Sequence, residues 1–334
     1  MSEQPFFLSK NTGFVDCSSV DDYLHPKANA KRVGDTLTET QYLGISIPEE
    51  RIHGLFNCWH HPNLGVVTGG AWIWQGIKPH HLACELFDIR SFMGDEPIRN
   101  DLHSYTLDNS YGVKVIEPLK KLHARYSDPS RKNSFDLEYT ALAPPVMFAN
   151  GLHFDQGMKV AGELVLQGKC YDVNGYNVRD RSWGALRPED HVNMPPMSWM
   201  TGSFGDDLFF NITGFDHPDL EPDYKEFMEF SAENTLNAGW IHRDGKVFEI
   251  VECRKHTVRN RQTMFPELVT MDMTDVTGRV YKLKGEIIAA SNWSAWLNVD
   301  VTIALAQWDC DGRTGYGDVQ DAHWHDWIRG FMGY

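Results

Sequence analysis

The chain has 334 residues, of which 42% are hydrophobic, 23% charged and 12% aromatic, and its formal net charge is -15. This length and composition are typical of a globular protein with two domains. The negative charge disfavours nucleic acid and anionic lipid surfaces as partners, and no stretch approaches the ~20 apolar residues of a membrane-spanning helix. The aromatic content favours an apolar small molecule as partner, and the sequence leaves homo-oligomerisation open.

Residues 1–50 differ in composition from the rest of the chain. They are rich in acids and hydroxyls, and Ser19 and Asp35 are candidate N-caps, so we predict a short helical lead-in. The first residues lack the basic start and apolar run of a secretory signal peptide. The cysteines are far apart and show no CxxC spacing. We therefore expect a cytoplasmic protein with reduced, mostly buried cysteines.

Two histidines and three tryptophans lie in or next to the first segments of the chain whose sequence predicts strands. His60 and His61 are adjacent, and adjacent residues of a strand face opposite ways, so at most one of them points into a pocket. Trp72 and Trp74 share a face, and with Trp59 they could line a cavity in which a histidine exchanges a proton near neutral pH. The alternative is a strand with core tryptophans and a histidine bonded to the backbone.

The segment from Leu119 to Pro145 is polar at first and ends in two prolines, which cannot join a central strand pair. It is the best candidate for a domain boundary, so we predict β-domains over residues 51–150 and 151–334. Consecutive segments with a period of two favour antiparallel strands over βαβ units. The predicted fold is therefore all-β and consists of antiparallel β-barrels or curved sandwiches.

The most informative stretch runs from His153 to Gly184. From Lys159 to Gln167 the even positions are apolar or small and most odd positions are polar, which predicts a half-buried strand. The pairs Asn174-Gly175 and Asp244-Gly245 are typical of tight hairpin turns, so we predict a hairpin at each.

RDRSWG at the end of this stretch distributes its side chains over two faces if the strand continues. Arg179, Arg181 and Trp183 then share one face, where an indole can stack with guanidinium groups, and Asp180 points to the other face. A desolvated aspartate can transfer a proton, and Arg179 could tune its surroundings. The structural alternative is that Asp180 locks a loop while the Arg/Trp face joins two sheets.

The chain contains four segments that form a recognisable set: RDRSWG, its lead-in GELVLQGKCYDVNGY, the upstream HPNLG followed by GGAWIW, and the late GRTGYG. Together they resemble the two-domain lipocalin-like family that includes carotenoid 1,2-hydratase (hydroxyneurosporene synthase). The resemblance covers most of the chain from about Arg51 onward. It implies two lipocalin-like β-domains and an activity of the lyase class.

Two further segments contain candidate binding residues. Met197 and Trp199 lie in the run HVNMPPMSWMTGSFGDDLFF, where thioethers can adapt to an irregular apolar ligand, although core filling is the more common cause. Tyr316 lies in the GYG segment. His323 and His325 would share a strand face, but no HExxH or Cys/His/carboxylate set accompanies them, so we predict no metal site.

The sequence lacks a dinucleotide-binding GxGxxG, a phosphate loop and a GxSxG nucleophile elbow, so we predict no cofactor. We predict a cofactor-independent lyase that acts by acid–base chemistry on an apolar aromatic or isoprenoid molecule, through hydration, dehydration, or loss of formaldehyde or carbon dioxide from a phenolic substrate. The alternative is a non-catalytic carrier of a hydrophobic metabolite. The predicted catalytic residues are Asp180, Arg179, His60, His61 and His153. The predicted substrate-binding residues are Trp59, Trp72, Trp74, Trp183, Met197, Trp199 and Tyr316.

Overall fold

The computed structural model describes residues 13–24, 37–101, 103–186, 194–221, 231–296 and 298–333. These residues form an all-β fold that divides into two compact units, which confirms the predicted fold class. We call residues 14–75 and 84–188 the sheet unit, and residues 1–13, 76–83 and 189–334 the barrel unit. No helix in the described part of the chain is long and apolar enough to cross a membrane.

The sheet unit is one curled antiparallel sheet. Its strands are β1 (Phe14–Val15), β2 (Leu37–Ile47), β3 (Ile52–His61), β4 (Val66–Gln75), β5 (Leu86–Gly94), β6 (Ser104–Thr106), β7 (Gly112–Glu117), β8 (Lys121–Asp128), β9 (Asn133–Ala141), β10 (Val146–Phe148), β11 (His153–Leu166) and β12 (Lys169–Leu186). They pair in the order β5-β4-β3-β2-β12-β11-β9-β8-β7-β6, while β10 pairs with β11 and with β1. Its helical segments are the 3-10 helices Ser19–Asp22 and Pro48–Glu50 and the short α-helix α1 (Glu96–Asn100).

Alternation along the strands gives this sheet two unlike faces. In β2, Leu43 and Ile45 are fully buried in a hydrophobic cluster that continues through Phe56 on β3. Tyr42 and Gly44 point the other way, because successive side chains of a strand alternate. We call the side that carries the cluster the core face, and the opposite side the second face.

Strand β12 joins segments that the sequence assigned to different domains. It pairs with β11 along its length and with β2 through the register that sets Asp180 opposite Tyr42. Yet β2 falls within the predicted lead-in, and both β11 and β12 fall within the predicted second domain. The compact units therefore have boundaries other than the predicted 1–50, 51–150 and 151–334.

The barrel unit is a closed antiparallel barrel whose strands pair in chain order. Its strands are β13 (Met197–Ser203), β14 (Phe209–Phe215), β15 (Leu236–Arg243), β16 (Lys246–Arg259), β17 (Pro266–Asp275), β18 (Val280–Trp296), β19 (Val299–Cys310) and β20 (Arg313–Trp324). Its helical segments are the 3-10 helices His81–Ala83 and Ala232–Asn234 and the α-helix α2 (His325–Met332). Large side chains such as Met200, Phe210 and Trp308 fill the barrel core.

One of the two predicted hairpin turns is wrong and the other is confirmed. The turn between β11 and β12 lies at Gln167-Gly168, where φ is 51° and 85°, as a tight type I′ turn requires. Asn174 and Gly175 instead pair with Ala161 and Val160 in the middle of the two strands. The extended backbone ladder outweighs the local turn preference of Asn-Gly. Asp244-Gly245 does form the turn between β15 and β16.

The GYG segment closes the barrel, because it lies where β20 meets β13. A Cβ atom on Gly317 would lie 2.2 Å from the backbone oxygen of Thr201, and one on Gly315 would lie 2.6 Å from the backbone oxygen of Ser203. Only glycine tolerates so close an approach of two backbones. The two glycines of this motif are therefore needed for the close approach of β20 to β13.

The barrel also contains a network of buried charges. Asp216 accepts hydrogen bonds from Lys255 Nζ at 2.6 Å and from Arg259 Nη1 at 2.7 Å. Asp321 accepts from Arg259 Nε at 2.6 Å and from the Ser198 hydroxyl at 2.8 Å. Burial alone would raise the pKa of both carboxyls. The charges of Lys255 and Arg259 instead hold the pKa of Asp216 below its usual range, and the charge of Arg259 is the main cause of the lowered pKa of Asp321.

The cysteines offer a first test of the fold. All six are free, Cys170 is exposed, and Cys58 and Cys253 are buried, where desolvation raises the pKa of each thiol to about 12. Because the thiolate is the reactive form, we expect Cys170 to react fastest with a thiol reagent in the native protein. Denaturation without reductant should release six reactive thiols, measured by absorbance. A smaller number, or early modification of Cys58 or Cys253 located by mass spectrometry, would contradict this arrangement.

Candidate functional site

RDRSWG lies in β12, and its side chains alternate between the two faces as predicted. Arg179, Arg181 and Trp183 are on the core face. Asp180 is on the second face, directly opposite Asp155 of β11. The side chains of this segment therefore lie in two separate environments.

The two arginines hold the N-terminal 3-10 helix against the sheet. Arg179 Nη1 donates to Asp22 Oδ1 at 2.6 Å, and both side chains are about 1% exposed. Burial alone would raise the pKa of Asp22, but the charge and hydrogen bond of Arg179 hold it below its usual range. Arg181 donates to the backbone oxygens of Asp22 and Tyr23 at 2.9 and 3.0 Å and pairs with the Glu39 carboxylate. Each guanidinium thus has buried acceptors within the sheet unit.

Trp183 and His60 also lie on the core face. Trp183 packs edge-on against Phe154, with ring centroids 6.3 Å apart. His60 is fully buried, and its Nε2 lies 3.0 Å from Asp95 Oδ2. The structure therefore does not bring these two predicted site residues, or Arg179, to the face that carries Asp180.

The second face carries two rows of mostly polar side chains that run across the strands. The first row is Asp155, Asp180, Tyr42 and Asn57, on β11, β12, β2 and β3. The second row is His153, Ser182, Thr40, Trp59 and Thr68, on β11, β12, β2, β3 and β4. Neighbouring strands are ~4.8 Å apart, so each row brings side chains from distant segments side by side.

One end of these rows is an aspartate–histidine pair. Asp155 is fully buried, and its Oδ1 lies 3.1 Å from Nε2 of His153. The Phe148 ring packs on the imidazole with centroids 4.5 Å apart. Asp180 stands between Asp155 and Tyr42 in the register, and directly opposed residues have Cβ atoms ~5 Å apart. A carboxyl, an imidazole and a phenol are therefore grouped on one surface.

Gly44 has no side chain and so leaves the space that the Tyr42 hydroxyl occupies. A Cβ atom on Gly44 would lie 2.9 Å from the Tyr42 hydroxyl and 2.3 Å from Nδ2 of Asn177. Asn177 Oδ1 accepts a hydrogen bond from the Gly44 N–H at 2.9 Å. The phenol hydroxyl thus lies over Gly44, in space that any other residue at this position would occupy.

Asn57 and Thr68 are polar side chains of the two rows that are only 7% and 8% exposed. The Thr40 and Ser182 hydroxyls of the same rows are 2.7 Å apart and bond each other. Asn57 and Thr68 add an amide and a hydroxyl to the polar part of this face.

Aromatic residues continue the second face beyond the polar rows. Trp72 and Trp74 are fully buried, with ring centroids 4.6 Å apart, and Trp59 is 9% exposed. His61 lies at the end of β3 with its Nδ1 3.4 Å from the Thr38 hydroxyl. The alternation of β3 and β4 thus places His61 and all three predicted tryptophans on the face that carries Asp180.

The comparisons with known proteins identify a family. The model of the family described as a domain of unknown function (DUF7064) matches residues 18–327. The chain belongs to this family. No curated protein matches the chain at a significant level.

Three solved structures resemble the fold of this DUF7064 chain. Kievitone hydratase from Nectria haematococca has a TM-score of 0.51 and 11% identity, and the match covers 97% of this chain and 99% of that one. An AttH-like protein from Nitrosomonas europaea has a TM-score of 0.52 and 12% identity over 90% and 100% of the two chains. CghA has a TM-score of 0.54 and 10% identity over 95% and 96%. At these identities the likeness shows the lipocalin-like fold alone.

The remaining predicted binding residues of the DUF7064 chain belong to its barrel unit. Trp199 lies between the buried core residues Ser198 and Met200 and so points away from the barrel core. Tyr316 is opposite Ser203 across the β13–β20 pair, and Met197 packs at the edge of a small cluster near α2. In the described part of the chain, no group of three or more His, Cys, Asp and Glu could hold a metal ion.

Sequence reasoning missed Asp155, Tyr42 and Asn57. Asp155 follows His153 by two residues in HFD, so the period of two could have placed both on one face. Tyr42 lies in TETQYLGISI, which alternates as a strand does, but the surrounding acids and hydroxyls favour a helical lead-in. Nothing in the local sequence marks Asn57, since only the register places it beside Tyr42.

Proposed function

We propose that this DUF7064 protein is a cofactor-independent lyase of the hydratase type, with Asp180 as the proton-transfer group. The single observation that carries the proposal is the grouping on the second face, where Asp180 stands in register between the Asp155–His153 pair and Tyr42. The buried tryptophans beside these groups provide an apolar surface for an aromatic or isoprenoid substrate.

The chemistry needs one acid and one base on the same side of the substrate. For hydration, the Asp180 carboxyl donates its proton to one carbon of a double bond, and the other carbon becomes cationic. The π face of Trp59 stabilises this cation, as aromatic faces stabilise other cations. Water attacks the cationic carbon, and His153 accepts the proton that the water loses. A proton then moves from His153 to Asp180 through solvent, and dehydration follows the same steps in reverse.

Asp155 and Tyr42 support these steps. Asp155 accepts a hydrogen bond from His153 and so fixes which ring nitrogen faces the substrate. The Tyr42 hydroxyl can donate to a substrate oxygen. With a phenolic substrate, the same groups could expel water, formaldehyde or carbon dioxide through a quinone methide.

Two likenesses support this reaction class. A solved structure with this fold is called a hydratase, and the RDRSWG set of segments resembles the family of carotenoid 1,2-hydratase. Phenolic and isoprenoid alkenes are therefore the substrates to try first.

The proposal is tested by incubating the purified protein with a panel of phenolic and isoprenoid alkenes in isotopically labelled water. A hydratase places the label in a product that mass spectrometry detects, and lyase activity on the phenolic compounds releases a detectable small fragment. Native mass spectrometry of the same preparation tests the carrier alternative. A copurified apolar ligand without turnover of any panel member would favour the carrier and count against the lyase.

Tyr42→Phe should lower turnover by about 10- to 100-fold, because it removes the hydroxyl that donates a hydrogen bond to the substrate oxygen. The change is measured as kcat on any substrate that the panel identifies. Tyr126→Phe is the matched control, since its hydroxyl donates to Asp88 on the core face at 2.9 Å. Equal kcat for wild type and Tyr42→Phe would remove Tyr42 from the mechanism.

A further inference from the structure

A cavity of the barrel unit lies between the end of β16, the loop that follows this strand and α2. Its volume is about 230 Å³. A cavity of about 150 Å³ holds one benzene ring. The space is therefore sufficient for one aromatic ring with a short side chain.

One wall of this cavity is aromatic. Trp327 and Phe331 are four residues apart in α2, so their side chains lie on the same face of the helix. Trp327 is 3% exposed and Phe331 is half-buried. Met264 is 7% exposed and adds a thioether, which adapts to the shape of an apolar group. The wall can therefore pack against a ring.

The loop that contains Met264 is held in one conformation. Met264 has a φ of 61°, which lies in the left-handed region that bulky residues rarely adopt. Asn260 Oδ1 accepts hydrogen bonds from the N–H groups of Gln262 and Thr263 at 3.0 and 3.2 Å, and the Asn260 backbone oxygen accepts from the Met264 N–H at 2.8 Å. A fixed loop loses little conformational entropy when a ligand binds beside it.

Two charged side chains of the lining have charged or titratable partners. Arg259 binds Asp216 through Nη1 at 2.7 Å and Asp321 through Nε at 2.6 Å. Glu221 has Nε2 of His256 at 3.8 Å from its carboxylate. The charge of Arg259 is therefore directed at the buried carboxylates rather than at the cavity.

Arg261 is the cation at the exposed side of the cavity. Its side chain is exposed, and its Cζ lies 5.2 Å from the centroid of the Phe331 ring. A guanidinium group forms strong charge-assisted hydrogen bonds with a carboxylate. The aromatic wall and this guanidinium thus match a ring that carries an acidic group on a short chain.

We propose that the cavity is a second ligand site, which binds a monocyclic aromatic carboxylate with a short side chain, such as 3-phenylpropanoate. The ring packs on Trp327 and Met264, and the carboxylate accepts hydrogen bonds from Arg261. This site and the acid–base groups of the sheet unit use different residues in different units. The binding proposal therefore does not depend on the lyase proposal.

The test is isothermal titration calorimetry of the full chain with 3-phenylpropanoate and with 3-phenylpropan-1-ol, which has the same ring and chain but no charge. We expect the wild type to bind the carboxylate at least ~10-fold more tightly than the alcohol, because charge-assisted hydrogen bonds are stronger than neutral ones. In Arg261→Gln the two affinities should agree within about 2-fold, and the affinity for the alcohol should stay the same.

Arg279→Gln is the matched control. The exposed guanidinium of Arg279 also lies over an aromatic ring, 5.0 Å from the centroid of Tyr281, but Arg279 does not line the cavity. Both substitutions remove one positive charge from a chain whose net charge is -15, so they change the long-range field alike. Arg279→Gln should retain the preference for the carboxylate.

Phe331→Leu tests the aromatic wall. It should weaken the binding of both probes by at least ~3-fold and leave the ratio of their affinities unchanged, because it removes ring contact but no charge. Melting temperatures show whether each variant is folded, and the two glutamine variants, which change exposed side chains, should match the wild type.

Four results would overturn the proposal. The first is that neither probe binds to the wild type, which would leave the cavity to solvent only. The second is that the wild type does not prefer the carboxylate. The third is that Arg261→Gln keeps this preference, and the fourth is that Arg279→Gln loses it. All of these readouts are binding constants, so they succeed or fail independently of turnover.

Discussion

Replacing Asp180 by asparagine should lower turnover at least ~100-fold while leaving substrate affinity nearly unchanged. The amide keeps the size and much of the hydrogen-bonding capacity of the carboxyl, but it has no proton to transfer at neutral pH. Substrate contacts with the aromatic part of the second face are untouched by this change. The measurements are kcat, the dissociation constant of the substrate and the melting temperature of both proteins.

A structural role for Asp180 predicts a different pattern. If the carboxylate only fixed the local backbone, the amide should lower the melting temperature and weaken binding and turnover together, because its partners would be poorly satisfied. Asp172→Asn is the control, since Asp172 is an exposed aspartate of the same strand. A stable Asp180→Asn protein with full activity would show that Asp180 is not the acid. His153 would then be the next candidate for the proton-transfer group.

Asp216→Asn should destabilise the protein by about 3–5 kcal/mol, the range observed when one member of a buried ion pair is removed. The carboxylate compensates the buried charges of Lys255 and Arg259, which an amide cannot do. Chemical denaturation followed by fluorescence measures the loss. Adding Lys255→Met should recover part of it, because the cation that lost its partner is then absent.

The pH dependence of stability follows from the same carboxylates. The folded-state pKa values of Asp216 and Asp321 are depressed, so the stabilisation is complete above their unfolded pKa of about 4 and is lost as the pH falls below it. Asp216→Asn should therefore reduce the loss of stability on acidification. Glu286→Gln is the control, because Glu286 forms only an exposed pair with Lys284. If Asp216→Asn changed the free energy of unfolding by less than about 1 kcal/mol, that result would contradict the role given to this network.

Most of the features that the sequence predicts correctly depend on a period of two, and the Asp244-Gly245 turn depends on its two residues alone. This period places Asp180 on the face opposite Arg179 and Arg181, and it places Trp72 and Trp74 on one face of their strand. Neither placement requires knowledge of the tertiary structure. The all-β class follows from the same alternation. These predictions need only that a strand forms, so long-range contacts do not disturb them.

The features that the sequence could not predict depend on which strands become neighbours. His60 and His61 are equivalent candidates by alternation, and only the position of the core decides that His60 faces Asp95 while His61 shares the face of Asp180. Tyr42 reaches Asp180 because β2 pairs with β12. That pairing joins residues at opposite ends of the sheet unit's sequence, and no local pattern specifies it.

The pairing of β2 with β12 also affects how the chain folds as it is synthesised. Thr40 and Ser182, which bond each other in the finished sheet, are 142 residues apart, and Asp22 and Arg179 are 157 residues apart. One edge of β2 therefore stays without its native neighbour until the ribosome has released β12, and such distant closure is slow. Most barrel strands, by contrast, pair with the strand made just before them. During biogenesis, the open edge of β2 is the place where the nascent chain is most exposed to wrong pairing.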